Sequence, residues 1–455
     1  MNSEIFREYD IRGIADRDIP DETALLIGKA YGTIIHNNGD VCVAVGNDNR
    51  KSSPRILAKL KEGILSAGID IIYVGEISTP LLYYAVHNLK VDGGISVTAS
   101  HNPPEYNGFK IMVGKDAIFG KKIREIAQIA ESKKFFVAKQ KGKISEKSLD
   151  EKYLNEIASL VKIKRKLKVV IDAGNGMASE LAPKLFEKLG LKPVCLFCEK
   201  DSSFPNHPPD PVVEENVKDL QKKVLETKAD IGIAFDGDAD RVGVVTNKGR
   251  LIFGDQLLSI FAEDVLKRKK KAKIIFEVKC SQSLPEWIEK KHGIPIMWKT
   301  GHSLIKAKMK EENAILAGEM SGHMFFAEKW YGFDDSLLAA AKMLEIASNS
   351  DKSVQEMVDE LPKYFSSPEI RVECADSKKD FVVKKISEKY KKLYPKSITI
   401  DGIRIVFPEG WALVRKSNTQ EKIILRFEAK TGKELERLIA QIKPEVEELI
   451  LMAKN

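Results

Sequence analysis

Apolar and polar positions follow the same order three times along this chain. Each round starts with a short, nearly continuous apolar run, then a polar turn containing Gly or Ser, then a helix-length stretch. A second apolar run introduced by glycine follows, and a third ends in a polar loop. The runs begin at Val41, Gly68 and Gly93, at Leu167, Gly190 and Ala229, and at Ala272, Gly293 and Asn313. Such alternation is typical of βαβ units with strands buried on both faces. It predicts an α/β fold with three similar mixed-sheet domains.

The pattern changes from about Ser366. Residues 398–407 (ITIDGIRIVF) predict two alternating strands around the Asp401-Gly402 turn. Two further strands and an amphipathic helix from about Thr431 to Met452 follow. We therefore expect a smaller C-terminal α+β domain, and domain limits of 1–146, 147–248, 249–364 and 365–455. Because ligands bind beyond the carboxyl ends of parallel strands, we expect the domains to surround one central cleft.

Composition narrows the class of protein. The 455 residues carry a formal charge of +8, spread along the chain, which suits an anionic substrate. The densest basic run, residues 267–273, contains no aromatic residue for stacking on bases, so we expect a solvated helix end and no nucleic-acid partner. No apolar segment reaches the roughly 18 residues of a membrane span. The N-terminus has no signal-peptide core, and these features together predict a cytoplasmic protein.

The cysteines indicate a reducing compartment. Five cysteines, an odd number in a long chain, do not predict a disulfide framework. Cys195 and Cys198 form a C-x-x-C pair inside an apolar stretch, without a second pair or a histidine cluster nearby. We therefore expect a buried strand there and not a zinc or redox site.

The first polar loop, residues 98–104 (TASHNPP), contains a candidate nucleophile, Ser100. A G-x-S-x-G elbow is absent. Neighbouring side chains on an extended segment point in opposite directions, so we expect His101 to be a poor general base for Ser100. A hydrolase triad is therefore disfavoured. Taken alone, the loop could equally be a helix-capping turn.

The second loop, residues 236–241 (DGDADR), places three carboxylates within five residues. Their repulsion is relieved by a hard divalent cation, which we expect to be Mg²⁺. Alternate residues of an extended strand lie roughly 6.6 Å apart, too far to share one ion, so the segment must curl. An EF-hand is excluded because Arg241 and Asn247 stand where Gly and Glu would be needed. A solvated acidic turn is the alternative.

Two more loops offer groups that suit a sugar phosphate. Glu319 and Ser321, between glycines in residues 318–323 (GEMSGH), could bind adjacent sugar hydroxyls, although an ordinary turn would look similar. Residues 415–419 (RKSNT) combine a guanidinium, two hydroxyls and backbone N–H groups, which suits a phosphate. A charged hairpin tip is the alternative.

Together, TASHNP, DGDADR, GEMSGH and RKSNT resemble the loops of the α-D-phosphohexomutase superfamily, in that family's order and over the full length. The chain looks like the phosphomannomutase/phosphoglucomutase branch. The supporting positions are residues 104–110 (PEYNGFK), Met320 and Asn418, with YDIRG at 9–13, VKCS at 278–281 and KTGHS at 299–303. Ala239 is the one small departure, because many relatives have Gly there.

The resemblance implies a mechanism and a set of site residues. Ser100 would carry a phosphoryl group, and one Mg²⁺ per chain would be held by Asp236, Asp238, Asp240 and an oxygen on Ser100. Lys110, Arg241 and His302 are candidates for acid–base work and charge neutralisation. The implied substrate-binding residues are Tyr9, Arg12, His101, Lys279, Glu319, Ser321, His323, Arg415, Lys416, Ser417, Asn418 and Thr419.

The implied substrates are glucose and mannose 1- and 6-phosphates, with a hexose 1,6-bisphosphate as intermediate and activator. We expect a monomer or a dimer. Three other functions stay open on the sequence alone: a phosphoglucosamine mutase, a metal-dependent phosphatase that uses the same serine, and a non-catalytic sugar-phosphate-binding protein.

Overall fold

A computed structural model describes residues 1–417 and 420–453. The chain divides into two compact units. The first comprises Met1–Leu257 and Ser321–Asp359, and the second comprises Leu258–Met320 and Glu360–Asn455. The expected α/β class with repeated mixed sheets is confirmed, as the sheets below show. In the described part of the chain, no helix combines the length and the apolar character that crossing a bilayer requires.

The first sheet is mixed, with strand order β1-β5-β4-β2-β3-β7, and β6 pairs with β5. The parallel strands β2, β3 and β4 are the three apolar runs predicted from the sequence, and β5 returns antiparallel beside β4. The elements in chain order are β1 (Ile11–Ile14), α1 (Ala15–Asp18), α2 (Asp21–Asn37), β2 (Cys42–Asn47), α3 (Ser53–Ser66), β3 (Asp70–Glu76), α4 (Thr79–Asn88), β4 (Gly93–Val97), β5 (Tyr106–Val113), β6 (Asp116–Ala117), α5 (Lys121–Ser132) and β7 (Ile144–Glu146).

Helices α2 and α3 cross at glycines. A Cβ atom at Gly63 of α3 would lie 2.5 Å from the Leu25 carbonyl oxygen and 2.6 Å from the Lys29 nitrogen, both backbone atoms of α2. Neither atom can move without shifting its helix. We expect Gly63→Ala to lower the free energy of unfolding by about 1–3 kcal/mol, the usual cost of overpacking.

Thermal or urea unfolding measures this effect. Gly432→Ala is the matched control, because among the residues that the structure describes a Cβ at Gly432 meets only Phe365, at 3.8 Å. It should be neutral or slightly stabilising, since alanine favours helices. Equal stability of the two variants would contradict the proposed close crossing.

The second sheet has the order β12-β11-β10-β8-β9, with β10 parallel to β8 and antiparallel to β11. The prediction of a buried strand at Cys195 is wrong. Cys195 lies on β9, which is at the edge of the sheet, and its side chain is exposed. The elements are α6 (Asp150–Ser159), β8 (Val169–Asp172), α7 (Ala178–Lys188), β9 (Val194–Leu196), α8 (Lys218–Thr227), β10 (Ile231–Phe235), β11 (Val242–Thr246) and β12 (Leu251–Ile252).

The third repeat again has a parallel core, in which β13 pairs with both β14 and β15. The three strands are the predicted ones, and the GEMSGH loop starts at the last residue of β15. The elements are α9 (Gly254–Arg268), β13 (Lys273–Glu277), α10 (Ser283–Lys290), β14 (Ile294–Trp298), α11 (His302–Glu312), β15 (Leu316–Gly318), β16 (Met324–Phe326), α12 (Ser336–Asn349) and α13 (Val354–Asp359).

The C-terminal sheet is antiparallel, with order β17-β21-β20-β19 and β18 beside β21. The predicted hairpin around Asp401-Gly402 is wrong, because residues 398–407 contain one strand only. Ile398 makes a single bridge to Arg404. Asp401 lies in a bend, and its carboxylate binds Arg415. The elements are β17 (Phe365–Ser366), β18 (Ile370–Glu373), α14 (Asp376–Leu393), β19 (Ile403–Val406), β20 (Gly410–Lys416), β21 (Lys422–Ala429) and α15 (Gly432–Met452).

Candidate active site

Ser100 lies in the turn that follows β4 and is buried. Its φ of +51° is left-handed, a conformation that costs a residue with a side chain about 1–2 kcal/mol. Its N–H donates to Thr98 Oγ1 at 3.0 Å, which helps to hold the turn. Its hydroxyl donates to Asp236 Oδ2 at 2.9 Å. The structure thus brings the predicted nucleophile directly to the predicted metal loop.

His101 departs from the sequence-based expectation. Its Nδ1 lies 3.1 Å from Ser100 Oγ, because the left-handed backbone at Ser100 turns both side chains to one side. The premise of an extended segment was therefore wrong. Burial and the charges of Arg241 and Arg12 hold the pKa of His101 well below its usual value, so the imidazole is neutral.

The acidic loop after β10 curls as its spacing requires. Ala239 has a φ of +59°, and Asp236 Oδ1 accepts the N–H groups of Asp240 at 2.9 Å and Arg241 at 3.1 Å. Ligand oxygens of Asp236, Asp238 and Asp240 lie within 4.8 Å of one another, and all three side chains are fully buried. The loop therefore converges its carboxylates on one point.

The Ser100 and Asp236 loops touch through backbone. A Cβ atom at Gly237 would overlap the carbonyl oxygen of Ser100, so only glycine permits this approach. On the other side of the loop, Thr79 donates its N–H to the Asp238 carbonyl at 2.9 Å and its hydroxyl to Asp238 Oδ2 at 2.6 Å. These contacts fix the distance between the serine and the carboxylates.

The carboxylate cluster fits a hard divalent cation. Asp238 Oδ1 is buried and has no hydrogen-bond partner within the residues that the structure describes, and the buried Asp240 Oδ1 lies 3.3 Å from the ring nitrogen Nε2 of His323. Burial, together with the charges of Asp240 and Asp238, raises the pKa of Asp236 well above its usual value. Unpaired buried carboxylate oxygens that repel one another are the ligands that Mg²⁺ prefers. The cluster is thus a candidate metal site.

Lys110, on β5, is the cation nearest to this cluster. Its Nζ lies 2.7 Å from Asp238 Oδ2 and also contacts Asp240 Oδ2. Burial opposes its charge, but the carboxylates of Asp238 and Asp240 outweigh that effect and raise the pKa of Lys110. The predicted catalytic lysine therefore lies beside the carboxylates, and its charge offsets part of theirs.

Arg241 and His323 form a second group beside Asp240. Arg241 Nε lies 3.3 Å from His323 Nε2, which is also 3.3 Å from Asp240 Oδ1. Ser321 Oγ lies 2.8 Å from His323 Nδ1. Two residues predicted to bind substrate, Ser321 and His323, therefore adjoin a predicted catalytic residue.

Arg12 extends the site from β1. Its guanidinium donates to Asn102 Oδ1 at 2.7 Å, in the loop of Ser100, and pairs with Asp10. Tyr9 is half-buried next to Asp10 in the chain. The YDIRG segment thus contributes a half-buried cation to the serine loop.

The second compact unit holds the other predicted residues. Lys279 Nζ lies 3.8 Å from Glu277 and 3.6 Å from Glu369. His302 starts α11, with Lys306 Nζ at 3.2 Å from its Nδ1. The carboxylate of Glu319 accepts the N–H of Gly301 at 2.7 Å. The substrate-binding roles of Lys279 and Glu319 and the catalytic role of His302 stay predictions.

The predicted phosphate-binding loop carries two ion pairs. Arg415 Nε binds Asp401 Oδ2 at 3.0 Å, and Lys416 Nζ binds Asp380 Oδ1 at 2.9 Å. Ser417 Oγ accepts the N–H of Gln420 at 3.1 Å. Asn418 and Thr419 lie outside the described residues.

Sequence reasoning missed three residues that organise these loops. Thr79 binds the acidic loop, as described above. Glu277 accepts the N–H groups of Lys279 at 2.7 Å and Met320 at 3.3 Å, and the hydroxyl of Thr300 at 2.8 Å. Arg50 binds the serine loop. Glu277 is the last residue of the strand β13, and Arg50 follows the end of β2 by three residues, so a charged residue at the carboxyl end of a buried strand was the available signal for both.

The chain resembles known proteins over nearly its whole length. Its four consecutive segments match the families described as phosphoglucomutase/phosphomannomutase alpha/beta/alpha domain I at residues 3–136, domain II at 151–249, domain III at 253–365 and the C-terminal domain at 369–445. A phosphomannomutase/phosphoglucomutase of Pseudomonas syringae pv. tomato is 45% identical over 95% of this chain and 93% of its own length. A phosphoglucomutase of Neisseria gonorrhoeae is 43% identical, with coverages of 98% and 97%.

A solved structure supports the same family assignment. A phosphoglucomutase/phosphomannomutase family protein from Burkholderia thailandensis is 40% identical, with a TM-score of 0.93, and the match covers 100% of this chain and 99% of that one. Agreement in sequence and in fold over nearly the whole length places the chain among the sugar-phosphate mutases, which are isomerases. It belongs to the phosphoglucomutase/phosphomannomutase family. The predicted superfamily and enzyme class are confirmed.

Proposed function

We propose that this chain moves a phosphoryl group between C1 and C6 of glucose and mannose phosphates through a phosphoserine at Ser100. The observation that carries the proposal is the hydrogen bond of 2.9 Å from Ser100 Oγ to Asp236, inside a cluster of three buried carboxylates. A serine hydroxyl next to a cation site suits phosphoryl transfer, where positioning and charge stabilisation supply most of the catalysis.

Ser100 would act in two opposite transfers. In the first, the free hydroxyl oxygen of a hexose monophosphate attacks the phosphorus of phosphoserine, and the bond from phosphorus to Ser100 Oγ breaks. The sugar hydroxyl loses its proton to a base, and a hexose 1,6-bisphosphate results. After the bisphosphate reverses its orientation, Ser100 Oγ gives up its proton and attacks the phosphorus of the other phosphate. The bond from that phosphorus to the sugar oxygen breaks, the sugar oxygen takes a proton, and phosphoserine and the isomeric hexose monophosphate result. An added bisphosphate would therefore activate unphosphorylated enzyme.

The three predicted catalytic residues besides Ser100 differ in whether their side chains can exchange a proton. The guanidinium of Arg241 stays charged, so its role would be to offset phosphate charge. Lys110 and His302 can exchange a proton and are the candidates for general acid and base. Lys110 contacts Asp238, in the same carboxylate cluster that Ser100 Oγ contacts through Asp236.

The carboxylates of Asp236, Asp238 and Asp240, with an oxygen on Ser100, would hold one Mg²⁺ per chain. When bound, the ion would draw negative charge from the phosphoryl group during its transfer. The buried oxygen Asp238 Oδ1, which has no hydrogen-bond partner among the described residues, supports this assignment.

Binding in two orientations needs groups that serve either end of the sugar. Glu319 and Ser321 would bind the 3- and 4-hydroxyls, which glucose and mannose share. The phosphate far from Ser100 would be held by Arg415, Lys416, Ser417, Asn418 and Thr419. Tyr9, Arg12, His101, Lys279 and His323 would complete the substrate contacts.

We further propose domain limits of 1–146, 147–248, 249–364 and 365–455, a cytoplasmic location and a monomeric or dimeric state.

Rates on three substrates test this function. With Mg²⁺ and glucose 1,6-bisphosphate, we expect glucose 1-phosphate and mannose 1-phosphate to be converted to their 6-phosphates without net phosphate release. A preference for glucosamine phosphate would instead identify a phosphoglucosamine mutase. Release of inorganic phosphate would identify a phosphatase, and binding without turnover would identify a sugar-phosphate-binding protein. Any of these outcomes contradicts the proposal.

A further inference from the structure

Arg50 is a buried cation whose guanidinium faces the inside of the Ser100 loop. It is 1% exposed and lies between β2 and α3. Its Nη1 donates to the carbonyls of Pro103 at 2.6 Å and Tyr106 at 3.1 Å. Its Nη2 donates to the carbonyls of Ser100 at 2.8 Å and Asn102 at 2.6 Å. One side chain therefore binds three carbonyls of the turn that carries the nucleophile and the carbonyl of Tyr106, the first residue of β5.

Arg50 is itself held rigidly. Asp48 Oδ2 lies 3.2 Å from its Nε, and Asp48 Oδ1 accepts the N–H of Arg50 at 3.0 Å and the hydroxyl of Ser53 at 2.6 Å. The ring of Phe204 lies 5.3 Å from the guanidinium carbon. A planar guanidinium that is itself held on several sides presents its N–H donors in a fixed geometry, and it can therefore hold the loop in one conformation.

The turn that carries Ser100 needs donors of this kind to stabilise its conformation. Ser100 has a left-handed backbone, so the turn is strained at the residue whose oxygen must react. The buried carbonyl of Ser100 and the partly buried carbonyl of Asn102 would also lose this donor if Arg50 were absent, whereas the Pro103 carbonyl would keep the N–H of Tyr106 at 3.0 Å. A lysine at this position has three donors on a single nitrogen and cannot match the fork.

We infer that Arg50 is a positioning residue for phosphoryl transfer, which orients Ser100 Oγ by fixing the carbonyls of its loop. The inference rests on the proposed function. Ser100 Oγ must return to the same place twice in each turnover, once as the leaving oxygen and once as the attacking oxygen. Misplacement of a reacting atom by about 1 Å can reduce the rate about 10²-fold.

Arg50→Lys tests this inference, because it keeps the charge opposite Asp48 and changes only the fork. Arg55→Lys is the matched control. Arg55 also binds two carbonyls, those of Ala15 and Ile19, but it lies on α3 and donates to no carbonyl of the Ser100 turn. We expect kcat of Arg50→Lys to fall about 10- to 100-fold, with KM and Mg²⁺ affinity within about twofold of wild type.

A single-turnover measurement shows whether the fall in kcat arises in the phosphoryl-transfer step. The rate of phosphoryl transfer from glucose 1,6-bisphosphate to Ser100, followed by intact mass, should fall by the same factor as kcat. Arg50→Ala, where it folds, should recover part of its transfer rate with millimolar guanidinium and not with methylammonium.

Three outcomes would overturn the inference. They are an unchanged kcat per folded molecule in Arg50→Lys, a loss of kcat in Arg55→Lys as large as in Arg50→Lys, and a defect confined to KM or to Mg²⁺ binding. An inactive wild-type enzyme would instead refute the proposed function, so the two failures can be told apart.

Discussion

Ser100→Ala is expected to reduce mutase turnover by about 10³-fold or more, even with saturating hexose 1,6-bisphosphate and Mg²⁺. Alanine removes the oxygen that accepts the phosphoryl group, and added bisphosphate cannot replace that oxygen. The structure supports this expectation, because Ser100 Oγ is the hydroxyl that donates to Asp236, at 2.9 Å. A coupled assay of glucose 6-phosphate formation measures the loss.

Ser96→Ala is the matched control for this variant. Ser96 lies on β4, four residues before Ser100, and its buried hydroxyl has no hydrogen-bond partner among the described residues. Its removal should leave turnover within about twofold of wild type, since no bond is lost. Near-full turnover of Ser100→Ala would contradict the phosphoserine mechanism.

The second large effect concerns the metal. Asp238→Asn should weaken Mg²⁺ binding by about 100-fold or more, because even losses outside the first coordination sphere cost 10- to 100-fold. The neutral amide keeps the shape of the side chain but removes the charge from Oδ1, a buried oxygen with no hydrogen bond. Calorimetric titration with Mg²⁺, or Mn²⁺ titration followed by electron paramagnetic resonance, measures the affinity without relying on activity.

Asp219→Asn controls for the change of charge alone. Asp219 is exposed in the first turn of α8 and is not one of the three loop carboxylates, so the same substitution there should leave Mg²⁺ affinity unchanged. Equal affinity in Asp238→Asn and wild type would show that the DGDADR loop is not the metal site. In that case the acidic-turn interpretation of the sequence would be the correct one.

Features set by a strong local constraint were predictable from the sequence. Three aspartates in five residues can share one ion only if the segment curls, and the left-handed Ala239 provides that curl. The predicted amphipathic helix from Thr431 to Met452 is α15, with Thr431 as its N-cap. Such features depend on residues that are close in the chain, where spacing fixes geometry.

Features that depend on the position of a strand in its sheet were not predictable. The apolar run around Cys195 resembles a buried strand, but β9 is at the edge of its sheet and exposes this side chain. Likewise, Ile398 has the alternation of a strand, yet the chain bends before β19 and Asp401 binds Arg415 instead. In both cases the partner segment decided the outcome.

The local environment of Ser100 was only partly predictable. Its left-handed backbone brings His101 to its side, which the sequence alone did not indicate. The role of Arg50 was hidden for another reason. Its partners are backbone carbonyls, which every residue has, so no pattern of side chains marks them.

The central claim is that Ser100 itself exchanges a phosphoryl group with the sugar. Incubation with glucose 1,6-bisphosphate and Mg²⁺, followed by intact mass and peptide mapping, tests it most directly. We predict the added mass of one phosphoryl group, located on Ser100 and removed again by excess glucose 6-phosphate. A protein that stays unmodified throughout, or that carries the group on another residue, would contradict the account.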